Sequence, residues 1–163
     1  MKSPSATLKR VLAIDPSPRG FGFAVMEGPE RLIDWGTKGV RGDKNRESLK
    51  HVAQLIERYR PDVIVIEDCQ HKSARRRVRV RQLVNAIVLI ASIIKLRVRR
   101  VPRSTVKKTF TQHGAATKHQ IASEIAKRFP ELNPRLPPVR KPWMSENNSM
   151  SIFVSVSLAL TYF

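Results

Sequence analysis

Two apolar runs of strand length, each closed by an acid, most constrain what this chain can fold into. The first is Val11-Leu12-Ala13-Ile14-Asp15, followed at once by Pro16, which lacks a backbone donor and fixes φ. The second is Val63-Ile64-Val65-Ile66-Glu67, entered through Asp62. Continuous apolar runs of this length read as strands buried on both faces. If the two lie parallel and adjacent, Asp15 and Glu67 reach the same sheet edge. Two carboxylates held close repel, and need a proton or a cation between them. Taken singly, each acid reads equally well as the polar cap of a strand. The shared ending is what points to a site.

The remaining segments support a mixed α/β architecture. After the turn Pro16-Ser17-Pro18-Arg19-Gly20, Phe21 to Glu27 and Leu32 to Gly36 complete an antiparallel meander. Asp43 to Arg60 has helical spacing through Leu49, Val52, Leu55 and Ile56, and Pro61 is expected to stop it. Gln82 to Lys95 is apolar on nearly every side and is expected to be a buried helix. Leu96 to Val101 reads as a fifth strand. Ser104 to Lys108 reads as a short helix with a hydroxyl cap, broken by Gly114. Thr117 to Phe129 is amphipathic. Residues 130–142 hold five prolines and read as an extended loop. Ser145 to Phe163 is expected to be a final helix, with Ile152, Phe153, Val156, Leu160 and Phe163 in the core. The order β-β-β-α-β-α-β-α-α-α predicts a mixed five-stranded sheet with helices on both faces. No internal repeat interrupts it, and one domain spanning residues 1–163 is expected.

Charge narrows the partner. The formal charge is +18 on 163 residues, with a pI of about 11.2. Between Cys69 and Ser123 there is no Asp or Glu, while Lys and Arg recur throughout. A field of one sign calls for a polyanion. A membrane surface fits less well, because the charge sits between core elements, and Val84 to Ile94 is too short to span a bilayer. The single Cys69 excludes an intramolecular disulfide, and no apolar signal segment precedes Val11, so a cytoplasmic protein is expected.

Four segments, in order, carry a family resemblance. Ile14-Asp15-Pro16-Ser17-Pro18-Arg19-Gly20-Phe21-Gly22 resembles the opening Asp-Pro-Gly motif of the RuvC-type Holliday-junction resolvases, members of the ribonuclease H-like superfamily. Val63 to Glu67 resembles their second acidic strand. Thr105 to Gln120 is similar to their lysine-containing segment, and the last helix is similar too. The resemblance implies a ribonuclease H-like fold and an endonuclease acting on branched DNA in recombination and repair. It implies two Mg²⁺ ions, with Mn²⁺ as a substitute, held about 3.5–4 Å apart for in-line phosphodiester hydrolysis. Asp15 would bridge both ions and Glu67 would bind one; hard carboxylate oxygens suit Mg²⁺. Lys107 and Lys118 match basic positions near the scissile phosphate and are carried over as catalytic contacts. A homodimer is implied as well, since a four-way junction presents two symmetry-related strands. The run Ala86 to Ile94 could contribute to its face.

The chain departs from the family at the last helix. The family completes its site there with acids, in a pattern similar to Asp-Ala-x-Ala-Leu-Ala. Here the run is Phe153-Val154-Ser155-Val156-Ser157-Leu158-Ala159, with Val154 at the acid's place. The last acid in the chain is Glu146, eight residues earlier, or about 12 Å along a helix. It could act as a catalytic and metal-binding residue only if that segment unwinds. Asp68 is left out of the site unless a bulge re-aims it, because on a strand it points to the other face. Two functions therefore stand: a nuclease with Glu146 recruited and a weakened two-ion site, or an inactive nucleic-acid-binding protein with the same fold. A pre-ribosomal-RNA nuclease-like relative is a third.

Candidate phosphate contacts follow the second acid closely: Lys72, Arg75, Arg76, Arg77, Arg79 and Arg81, joined by Lys107, Lys108 and Lys118. As a strand, Arg77, Arg79 and Arg81 would share a face; as a helix they would spread round its axis. Each is also readable as a solvated surface charge. No aromatic lies between Tyr59 and Phe110, so recognition by shape and charge is expected over base readout. His113 and His119 lack metal-ligand spacing and read as surface donors.

Overall fold

A computed structural model describes residues 7–68 and 78–163. Five strands form one mixed sheet: β1 (Arg10–Ser17), β2 (Gly20–Glu27), β3 (Leu32–Gly39), β4 (Val63–Glu67) and β5 (Arg97–Val101). Their order across the sheet is β3-β2-β1-β4-β5. The meander β1-β2-β3 is antiparallel, whereas β1–β4 and β4–β5 are parallel. Helices cover both faces, as the sequence leads one to expect. On one face α1 (Lys44–Tyr59) and α2 (Val78–Ile93) pack on Leu12, Ile14, Ile64 and Ile66. On the other, α3 (Arg103–Thr111), α4 (Lys118–Arg128) and α5 (Met150–Tyr162) pack on Val11, Ala13, Val63 and Val65. The central strands are apolar on both sides because both sides are covered.

Several boundaries differ from expectation, each for a local reason. Helix α1 is capped by the Asp43 carboxylate, which accepts from the Arg46 amide at 3.2 Å. It ends at Arg60 in the left-handed region (φ 45°), one residue before Pro61. Helix α3 starts at Arg103 behind Pro102, so Ser104 falls inside the helix and no hydroxyl cap forms. Part of the proline-rich stretch winds into a short 3-10 helix, Pro130–Arg135, which buries Leu132. Phe163 lies 41% exposed against Tyr162 rather than in the core.

Two larger corrections concern helices. The apolar helix α2 is not buried all round. Leu83, Val84, Ile87 and Ala91 face the sheet, but Leu89 and Ile93 are 62% and 72% exposed. Among the described residues, the elements it chiefly packs against are α1 and strands β1 and β5. The final helix begins at Met150, not Ser145. Asn147 Oδ1 accepts from the Ser149 amide at 2.9 Å, a local turn that competes with helical hydrogen bonding. Residues 145–149 therefore run as a loop.

Candidate active site

The parallel register of β1 and β4 builds the centre. Ile14 pairs with Ile66, so Asp15 and Glu67 follow at the same sheet edge. Neighbouring strands lie about 4.8 Å apart, so the two acids start from adjacent backbones. By alternation Asp15 shares the face of Val11 and Ala13, and Glu67 that of Val63 and Val65. Both side chains thus project to the α5 face, and both residues are buried, at 6% and 8% exposure. Gly22 is the antiparallel partner of Asp15. A Cβ there would come within 2.4 Å of Ser151 Oγ. The missing side chain lets the first turn of α5 descend onto the sheet beside Asp15.

A cleft of about 590 Å³ opens at this edge. Asp15, Glu67, Asp68 and Glu146 line it, with Asn147, Asn148, Ser151 and Val154 on the α5 side. Asp68, which strand alternation turns away, belongs here: β4 ends at Glu67, and alternation ends with it. The sequence held the signal, since Asp68 adjoins Glu67 in a run about to leave the sheet. Glu146 reaches the cleft because its segment is not helical. Its carboxylate accepts from Lys118 Nζ at 2.8 Å, a half-exposed ion pair. Val154 is half-buried in the cleft wall, where the resemblance asks for an acid.

The cations are positioned by recognisable devices. A capping box starts α4: Thr117 Oγ1 accepts from the Gln120 amide at 3.1 Å, and Gln120 Oε1 accepts from the Thr117 amide at 3.1 Å. That places Lys118 at the first helical position, on the cleft. Lys107 on α3 is exposed and shares a neighbouring recess with Glu67, Arg103 and Lys118. Arg19 and Arg103 also line the cleft, although neither stood among the candidate contacts. Lys108 and Arg81 are exposed. Arg79 has a different task from the one expected. It donates to the Ser17 carbonyl at 2.9 Å and to Asn45 Oδ1 at 3.2 Å, clamping the turn after Asp15. Since α2 begins at Val78, Arg79 and Arg81 lie on a helix and do not share the strand face considered for them. Lys72, Arg75, Arg76 and Arg77, with Cys69, lie outside the described residues. His113 is exposed, and His119 donates to the Pro137 carbonyl at 2.9 Å.

The donor set was weighed against a divalent cation. Carboxylates with amide and hydroxyl oxygens are hard ligands of the type Mg²⁺ takes. Asp15 and Glu67, side by side, fit one such ion. Among the described residues, no group of three His, Cys, Asp or Glu forms a ligand cluster. Val154 offers no oxygen to the cleft, and Glu146 is engaged by Lys118.

The family model described as crossover junction endodeoxyribonuclease RuvC matches residues 11–140, a span holding both acidic strands and both lysines. The RuvC of Akkermansia muciniphila is 30% identical over 122 residues, covering 69% of this chain and 73% of the relative. That of Hydrogenovibrio crunogenus is 27% identical over 124 residues, covering 71% and 72%. Two solved structures share the fold. Thermus thermophilus RuvC in complex with a Holliday junction superposes with a TM-score of 0.68 at 18% identity, covering 94% of this chain and 92% of that one. The yeast mitochondrial Holliday junction resolvase Ydc2 gives 0.67 at 15% identity, covering 98% and 80%.

Proposed function

This chain belongs to the crossover junction endodeoxyribonuclease RuvC family, and on that premise we propose that it binds branched DNA across the acid-lined cleft and cuts it slowly. One observation carries the proposal: two buried carboxylates from separate strands stand together in a cleft whose walls hold Arg19, Arg103 and Lys118. The cations bring phosphates to the edge of the sheet, where buried acids alone would repel them. Lys107 and Lys118 contact the phosphate at the reacting position. Asp15 and Glu67 hold a divalent cation, Mg²⁺ or Mn²⁺. The chemistry such an ion supplies when bound is positive charge against phosphate oxygens and a more acidic attacking water. Glu146 joins them only when Lys118 releases it. Val154 leaves the set one carboxylate short, which lowers the rate. The exposed Leu89 and Ile93 of α2 give a second copy an apolar face, so that two clefts meet the two strands of a junction.

A second reading, binding without cleavage, draws support from Val154 and from the Lys118–Glu146 pair. One experiment decides between them. A synthetic four-way junction is incubated with wild type and Val154→Asp in Mg²⁺, with gel shift and product gel run in parallel. The nuclease reading expects slow cutting by wild type and a rate raised roughly tenfold or more by Val154→Asp. Cutting by the variant alone favours the binding protein. A shift with no products from either protein overturns the nuclease. Tighter binding to structured RNA than to the junction, at equal salt, overturns the DNA assignment.

A further inference from the structure

The loop after the 3-10 helix carries Trp143, the most exposed large hydrophobic residue among the described residues, at 77%. An indole left in water by a chain with few aromatics calls for a partner. Its setting is built. The Met144 amide donates to the Lys141 carbonyl at 3.0 Å, closing a turn with Trp143 at its third position. Arg140 Nη1 braces the turn by donating to the Met144 carbonyl at 3.3 Å. Upstream, His119 ties the loop to α4 through Pro137, and Pro138 and Pro142 limit its freedom. Lys141 Nζ lies 5.4 Å from the Trp143 ring centroid. A rigid ring with a cation over it is thus presented to solvent at low entropic cost.

What lies beside the ring names the ligand. Val139, Arg140 and Met144, on either side of Trp143, line a groove of about 830 Å³. Arg19, Arg103, Lys107 and Lys118 line it too, and Arg19, Arg103 and Lys118 are shared with the acid-lined cleft. The groove, which Glu146 also lines, therefore joins the candidate active site through a run of cations to the loop that carries the indole. A phosphate backbone suits the track, and an aromatic face beside such a track suits a base. Bases inside a duplex are already stacked and offer it no face. Resting on the nucleic-acid reading above, we infer that Trp143 stacks on an unpaired nucleobase of a strand whose phosphates occupy this groove.

The test uses the whole chain in EDTA with two fluorescein-labelled probes: an oligothymidylate, and a fully paired duplex with the same number of phosphates. Trp143→Ala is expected to weaken oligothymidylate binding roughly 5- to 150-fold, while duplex affinity holds. Trp143→Phe keeps most of the affinity. The salt slope stays unchanged, because no phosphate contact is lost. Unlabelled oligothymidylate quenches the emission of wild type, and this component disappears in Trp143→Phe. Equal losses on both probes, or identical quenching in wild type and Trp143→Phe, overturn the inference alone. Failure of wild type to bind either probe overturns it together with the reading beneath it.

Discussion

The two ends of the β1–β4 strand pair gather acids in different ways. At the end where both strands begin, acids from separate elements each meet a donor of their own. Glu27 accepts from Arg10 at 2.6 Å and from Arg31 at 3.1 Å, and Asp62 accepts from the Arg10 amide at 2.8 Å. The Tyr59 hydroxyl donates to Asp34, and its pKa is raised by burial first and by that carboxylate second. At the end where both strands finish, Asp15, Glu67, Asp68 and Glu146 gather round one cleft. The difference is one of strand direction. The antiparallel register sets Arg10 opposite Glu27 and so joins unlike charges. The parallel register brings two like endings to one edge. The first arrangement holds the sheet together; the second concentrates charge where a ligand can use it.

The comparison can be broken at either end. The largest effect is expected from Asp15→Asn. It should abolish junction cutting and weaken Mn²⁺ binding by more than the roughly 10–100-fold that loss of a supporting partner costs. Its Tm is read alongside, since Asn keeps the size and polarity of the buried side chain. Metal titration and a melting curve on the same sample check both halves; a lower Tm with unchanged Mn²⁺ affinity would show that the acid is structural. Next in size is Lys118→Ala. Loss of one phosphate contact should lower DNA affinity and reduce the salt slope by about 1. Release of Glu146 should at the same time tighten Mn²⁺ binding, measured without DNA. If both affinities fall together, Glu146 does not serve the metal. The smallest effect belongs to the other end. Glu27→Gln removes two partly exposed pairs, to Arg10 and Arg31, and should cost about 1 kcal/mol. That is a drop of about 2–4 °C in Tm. DNA affinity and metal binding should not change.

How much of this was legible before the fold was known depends on the reach of each signal. The two acid-ended strands are apolar over four consecutive residues, and that alone marks them as central. The Thr117–Gln120 box sits in four residues and places Lys118 without help from the rest of the chain. Other features invert a local rule. Strand alternation dismisses Asp68, yet it applies only as far as the strand, and β4 stops one residue short. A helical reading of 145–163 strands Glu146 two turns away, but the Asn147 turn holds the start of the helix back to Met150. The apolar pattern of α2 describes a helix buried all round, while among the described residues its neighbours leave Leu89 and Ile93 exposed.

The sequence by itself determined the sheet, the direction of its acidic endings, the excess of cations and the absence of a carboxylate at residue 154. These follow from runs of a few residues, within which side-chain periodicity and backbone geometry act. Tertiary structure alone decided that Glu146 meets Lys118, 28 residues away, and that Arg79 holds the Ser17 carbonyl, 62 residues away. It also decided that the loop carrying Trp143 flanks a groove lined by Arg19, Arg103, Lys107 and Lys118. Such pairings depend on where packed elements bring distant side chains, and no local pattern records that position.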